Sequence, residues 1–190
     1  WRLGRTYLRV GKPFAAVKCL TRFVRDHPKH AKVPDALRDL AAVEPFRTPQ
    51  GEDRERAWEA KRLLEREDFD GAAALCRRAL ATSPFLDEAR IGLGRALVES
   101  FRALGSRGDL TAAFQEFDDA LLVDPDHPDA LAGRGRALLA LGDAERALAD
   151  AERAMATDRV NAAAVLVAGH AQLRSGRVDA AAESFDEAFR

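Results

Sequence analysis

The sequence predicts an all-α chain, a solenoid built from stacked helix-turn-helix repeats. Three observations predict it. Alanine is abundant, Gly and Pro are confined to punctuation points, and no stretch shows strand-like alternation of β-branched and aromatic residues. Small and apolar residues recur at steps of four and three, which keeps one stripe of a helix facing one neighbour. One segment type also returns along the chain: "FAAVKCLTRFVRDHP" (14–28), "FDGAAALCRRALATSP" (69–84), "LTAAFQEFDDALLVDP" (110–125), "AERALADAERAMATDR" (144–159) and "VDAAAESFDEAF" (178–189).

In each segment a small residue opens the helix face: Ala16, Ala72, Ala113, Ala147 and Ala181. A second contact follows four residues later, at Leu20, Cys76, Phe117, Ala151 and Phe185. A third lies three beyond, at Phe23, Ala79, Ala120, Ala154 and Ala188. Pro28, Pro84 and Pro125 stop three of these helices, because proline disfavours a helical residue before it.

Taken in order, the elements pair as hairpins. Residues 1–28 form the first, with "WRLGRTYLRVG" as its opening helix. Residues 29–51 are an insertion with a short helix from Pro34 to Val43 and a loop bearing Pro and Gly; it is either a degenerate repeat or a linker between stacks. Four further hairpins follow at 52–84, 85–125, 126–159 and 160–190. Pro125 to Arg159 is 34 positions, one unit, whereas Pro84 to Pro125 is 41, seven more. The excess lies in "ESFRALGSRGDLTAAF" (99–114). Either it lengthens the first helix of that hairpin by about two turns, or Gly105 ends the helix and "SRG" is a looped insertion. In both cases Phe101 and Leu104 have no counterparts in the other repeats and predict a projecting ledge.

This unit resembles the tetratricopeptide repeat, a 34-residue pattern with Trp, Leu-Gly and Tyr on its first helix and Ala, Phe, Ala and Pro on its second. The first hairpin carries Leu3-Gly4, Tyr7, Gly11, Ala16, Phe23 and Pro28, and later units carry Leu93-Gly94, Gly135 and Gly169. Arg159 stands where the closing proline is usual, and Ala60 where glycine is. The resemblance implies a right-handed superhelical α-solenoid, first helices lining a concave face and second helices outside.

Enzyme chemistry finds no support in the residues. No Gly-rich phosphate loop, nucleophile elbow or pair of catalytic carboxylates appears, so catalytic residues, metal and cofactor are all expected to be none. His27, His30 and His127 lie in Pro- and Asp-rich turns, where such residues form turns and caps. Cys19 and Cys76 read as core thiols, implying a reducing, cytoplasmic setting, although a targeting segment could have preceded Trp1. With 30 basic and 31 acidic side chains the net charge is −1, so nucleic acid and anionic membranes are not expected partners, and no apolar run could span a bilayer.

Binding is better grounded. By the resemblance, one position of each first helix gives a concave column of Arg5, Lys61, Arg95, Arg136 and His170. Three residues on, a second column is Leu8, Leu64, Val98, Leu139 and Leu173. Arg9 and Arg174 add charge, and Trp58, with Trp1, is an aromatic anchor at the groove's first end. A basic stripe beside an apolar one suits a peptide or helix with acidic and aliphatic side chains. The same stripe could instead reflect Arg-rich composition, with Glu65 and Glu99 neutralising Lys61 and Arg95 at four residues' distance. The clamp of Lys and Asn that some family members use on acidic C-terminal tails is absent, since the one asparagine is Asn161, outside those positions.

The expected function is therefore a non-catalytic scaffold that captures a protein or peptide. The alternatives are self-association through chain ends left uncapped at Trp1 and Phe189, or service as an accessory domain of a larger enzyme or regulator. Arg107-Gly108-Asp109 reads as repeat turn chemistry rather than an adhesion motif, with Gly108-Asp109 placed like Gly142-Asp143.

Overall fold

In the computed structural model, residues 1–43, 49, 51–104 and 107–188 are described, with 104, 107, 108, 187 and 188 as backbone only. Among the described residues there are eleven helices and no strand. They are α1 (Arg2–Arg9), α2 (Pro13–Asp26), α3 (Val33–Ala41), α4 (Gly51–Glu65), α5 (Phe69–Thr82), α6 (Asp87–Leu104), α7 (Arg107–Val123), α8 (Pro128–Leu141), α9 (Ala144–Thr157), α10 (Ala162–Arg174) and α11 (Val178–Ala188).

Consecutive helices from α4 to α11 pack pairwise, and α4, α6, α8 and α10 also pack on one another in series. That is the layout of an α-solenoid whose first helices share one wall. The stripe of small residues is what permits it: Ala16, Ala72, Ala113 and Ala147 are fully buried and Ala181 nearly so. One step along the stripe, Leu20, Cys76, Phe117 and Ala151 are also fully buried. Burial pushes the Cys76 thiol up to about 12, with Arg77 opposing only weakly, so this sulfur is packing material and not a nucleophile.

Phe117 on α7 sets the spacing between α6 and α8. A Cβ on Gly94 would lie 2.7 Å from its ring, and one on Gly133 closer still. The two glycines form the recess that accepts the ring.

The turns inside hairpins share one backbone design. The residue after the turn donates its N–H to a carbonyl five residues back: Lys12 to Tyr7, Asp68 to Leu63, Asp143 to Leu138 and Arg177 to Gln172, at 2.9–3.0 Å. This closure needs a left-handed residue, and Gly11, Gly142 and Gly176 supply it with φ of 68, 96 and 76°. In the α4–α5 turn Glu67 takes the same conformation, φ 61°. Left-handed backbone costs a residue with a Cβ about 1 kcal/mol. Glu67→Gly is thus expected to raise stability by about that amount in a denaturant titration; an unchanged midpoint would show the strain to be relieved elsewhere.

The seven extra residues of the 85–125 unit are divided between both helices. α6 has 18 residues against 14 in α8, and α7 has 17 against 14 in α9. Arg107, Gly108 and Asp109 open α7 as its first turn, so Gly108 is helical and does not take the place of Gly142 in its turn. The equivalence expected from sequence fails because the added length carries α7 back to Arg107, upstream of Gly108. Phe101 is half-buried against the main core and does not project freely. The side chain of Leu104 lies outside the described residues, as does Phe189.

Polar clamps tie the layers together. Arg134 on α8 donates to both carboxylate oxygens of Asp150 on α9, at 2.8 and 2.7 Å, and to Asp118 on α7 at 2.9 Å. Asp53 on α4 is fully buried. It accepts from Thr82 Oγ1 at 2.8 Å, Ser83 Oγ at 2.6 Å and the Arg56 guanidinium, joining the start of α4 to the end of α5. Burial by itself would raise this carboxyl, but the Ser83, Thr82 and Arg56 bonds together outweigh it and hold it below the usual 3.8.

A depressed carboxyl adds stability that is fully present above its unfolded value and disappears as pH falls through its folded one. The stability gap between the wild type and Asp53→Asn is therefore expected to be widest above pH 3.8 and to close below it. Thermal melts at several pH values read this directly; a gap independent of pH would contradict it.

The first three helices are held differently. α1 pairs with α2 and α2 with α3, but none has a principal contact with α4 or α5. Their anchorage is to later elements. Lys18 pairs with Asp119 of α7 at 2.5 Å, and the Phe14 ring lies 5.4 Å from Phe85 and under the Arg90 guanidinium at 3.8 Å. Val17, Val43 and Phe85 form a small core of their own, joined by Phe14 and Val123. Arg90, almost buried, holds Glu116 at 2.8 Å and the Pro84 carbonyl at 2.7 Å.

Candidate functional site

The periodicity of the first helices decides which side chains meet on the shared wall. On α4, Arg54, Trp58, Lys61 and Leu64 recur at three or four residues, and on α6 so do Glu88, Ile91, Arg95 and Val98. Except for Val98, these two stripes line a depression of about 410 Å³. Its floor is Ala57, Leu64, Leu86 and Ile91, and its walls include Trp58, Lys61 and Arg95. Trp58 is 62% exposed, with the Arg62 guanidinium 5.1 Å from its ring centre. Most of the indole is therefore open to solvent.

A second depression of about 510 Å³ lies further along, between α6, α8 and α10. Here the structure brings together Val98, Arg136, Leu139, His170 and Arg174. Val98 is 3% exposed, so it contributes floor and no projecting contact. Leu173 is half exposed and does not line the depression; Leu166 does so instead. Arg174 donates to the Leu139 carbonyl at 2.9 Å, and the His170 ring packs edge-on to Phe185 at 5.1 Å.

Arg5 and Arg9 stand apart from both. They line a separate hollow on α1 with Trp1 and Asp39. Arg5 is paired with Asp39 at 3.4 Å, and Trp1 Nε1 donates to the same carboxylate at 3.2 Å. Lys61 and Arg95 thus line the first depression and Arg136 and His170 the second, with Arg5 apart from both.

The charge pairing also differs from what the spacing suggests. Glu99 accepts from Arg136 on the neighbouring helix and from Arg102 at 3.2 Å, so it does not neutralise Arg95. Glu65 makes no ion pair with Lys61. Among the described residues Lys61 and Arg95 have neither an ion pair nor a side-chain hydrogen bond, whereas Arg136 and Arg5 are paired with Glu99 and Asp39.

Three residues that sequence reasoning passed over also border the first depression: Glu88, His127 and Asp129. His127 and Asp129 flank the start of α8 and read as turn residues in one dimension; only the stacking of α8 on α6 brings them to the site. Asp87, next to Glu88, has a buried carboxylate oxygen without a partner. Desolvation raises its carboxyl above the usual range, against the opposing pull of His127.

Among the described residues no cluster of His, Cys, Asp and Glu could hold a metal ion, and no helix is long and apolar enough to cross a membrane.

The comparisons agree with this architecture. Two tetratricopeptide repeat sequence profiles match, one over residues 106–149 and another over 134–190. No curated protein matches the sequence. Among solved structures, a thermophilic tetratricopeptide repeat protein of Thermus thermophilus is 22% identical with a TM-score of 0.61, over 98% of this chain and 87% of that one. MamA from Desulfovibrio magneticus RS-1 is 18% identical with a TM-score of 0.55, over 99% and 90%. A tetratricopeptide repeat protein from Parabacteroides merdae ATCC 43184 is 15% identical with a TM-score of 0.53, over 98% and 63%. At these identities the likeness is one of fold. With the profile matches, the buried repeat stripe and the serial packing of first helices, residues 106–190 are tetratricopeptide repeats and the chain as a whole has the fold of such repeats.

Proposed function

We propose that this protein is a non-catalytic scaffold whose concave wall, formed by α4, α6, α8 and α10, captures a peptide or helix of a protein partner. The observation that carries this reading is the first depression: apolar floor, exposed Trp58, and the unpaired cations Lys61 and Arg95. An apolar floor supplies affinity through buried area, and fixed charge supplies orientation and selectivity. The second depression extends the same wall, with Arg136 partly neutralised by Glu99. The fold suits such a role, since stacked hairpins offer a long rigid surface at little ordering cost.

The partner suited to it carries acidic and aliphatic side chains. Affinity capture on the immobilised wild type and on Lys61→Glu/Arg95→Glu tests the reading, with both proteins shown to have the same helicity. A protein retained by the wild type and lost by the variant supports it. Retention that is the same for both counts against it.

A further inference from the structure

We propose that the depression between α4, α6 and the start of α8 selects an extended peptide segment in which an acidic and a basic side chain stand three residues apart on either side of an apolar one. This rests on the groove reading above and adds to it a charge order and a spacing.

The depression is divided by sign along its length. Lys61 on α4 and Arg95 on α6 hold one end, and Glu88 on α6 with Asp129 at the start of α8 hold the other. Glu88 makes no ion pair among the described residues. Asp129 accepts a single hydrogen bond, from Asn161 at 3.0 Å, which leaves its second oxygen available. Arg54 and His127 also line the depression, so near the starts of α4, α6 and α8 two carboxylates accompany one guanidinium and one imidazole. Between the ends lie Trp58 and Ile91. A uniformly acidic peptide would therefore gain at Lys61 and Arg95 but be repelled at Glu88 and Asp129.

The helix itself sets the spacing. Glu88 and Arg95 are seven residues apart on α6, two turns on the same face, which is about 10 Å at the helical rise. A peptide in the extended polyproline II conformation advances about 3.1 Å per residue and turns once in three, so side chains three positions apart share a face and stand about 9 Å apart. A ligand carboxylate at Lys61 and Arg95 thus places the side chain three positions away beside Glu88, where a Lys or Arg fits. The intervening side chains meet Trp58 and the Ile91 floor. The volume of about 410 Å³ falls in the range of ordinary ligand sites, roughly 300–1,000 Å³.

Glu65 and Glu67 lie on the far side of Lys61, around a smaller hollow of about 230 Å³, and offer the competing location for the basic residue. The test separates the two. A displayed random dodecapeptide library is selected on the wild type, on Lys61→Glu/Arg95→Glu, on Glu88→Ala and on Glu65→Ala, each checked for unchanged helicity. The expected wild-type pool is rich in Asp or Glu followed or preceded, three positions away, by Lys or Arg. Enrichment of the basic residue is expected to fall about tenfold on Glu88→Ala and to persist on Glu65→Ala. Peptides that need Lys61 and Arg95 but carry no basic residue at that spacing, or lose it on Glu65→Ala, overturn this proposal and leave the groove reading standing. A wild-type pool that Lys61→Glu/Arg95→Glu selects equally well overturns both.

Discussion

Replacing Phe117 by alanine is expected to lower stability by about 4 kcal/mol and to split the unfolding transition in two. The ring is fully buried and occupies the recess formed by Gly94 on α6 and Gly133 on α8. Truncation removes the large side chain that α6, α7 and α8 share, and the flanking helices cannot close on the void without breaking their own hairpin contacts. In a chain stabilised by nearest-neighbour interfaces, weakening one interface uncouples the parts on either side. Calorimetry reads both effects, and a single sharp transition shifted by less than about 1 kcal/mol would contradict the assignment of Phe117 as the shared element.

The glycines give a complementary check. Gly133→Ala gains about 1 kcal/mol of helix propensity, but its Cβ would run into the Phe117 ring. Overpacking of a fixed core group costs about 1–3 kcal/mol, so net destabilisation is expected. In a Phe117→Leu background the same substitution should cost less, because the smaller side chain can shift. The difference between the two backgrounds measures the contact.

The second large effect concerns binding. Against a partner captured by the wild type, Lys61→Glu/Arg95→Glu is expected to weaken affinity about 100-fold, on the order of 3 kcal/mol, with the larger part in the dissociation rate. Arg136→Glu alone should do much less, because Glu99 already shares that guanidinium. Arg5→Glu should leave affinity unchanged, since Arg5 faces Asp39 in a separate hollow. Surface plasmon resonance across the variants gives the order, and an equal loss at Arg5 and Arg95 would contradict it.

The repeating core was legible in the sequence because its signal is one-dimensional. Alanines at fixed intervals mark where helices approach closely, and the residues so marked from Ala16 to Ala181 are the buried ones. Gly142 was legible as a turn glycine for the same reason, whereas Gly108, read as its equivalent, is helical. What was not legible depends on neighbours distant in sequence. Glu99 lies four residues from Arg95 but bonds Arg136, 37 residues on, because the packing of α8 against α6 places that guanidinium within reach. The anchorage of the first hairpin rests on Lys18 and Asp119, separated by 101 residues, and nothing in its own repeat pattern distinguishes it from a stacked unit.

The candidate site was legible only in part, for the same physical reason. The resemblance to the repeat family implies one face for Lys61 and Arg95, with Trp58 at its first end, and the structure sets the three around one depression. The resemblance could not assign Glu88, His127 and Asp129, whose part in the site comes from the stacking of α4, α6 and α8. Nor could it show that Val98 would be floor and Leu166 rim.

Site-specific photocrosslinking tests the central claim most directly. A benzoylphenylalanine at position 58, on the concave wall, is compared with one at position 152, an exposed position on the outer helix α9. A partner protein is expected to be crosslinked from position 58 and not from 152, and Lys61→Glu/Arg95→Glu is expected to abolish the adduct. Crosslinking of the same partner from 152 with none from 58 would contradict capture on the concave wall.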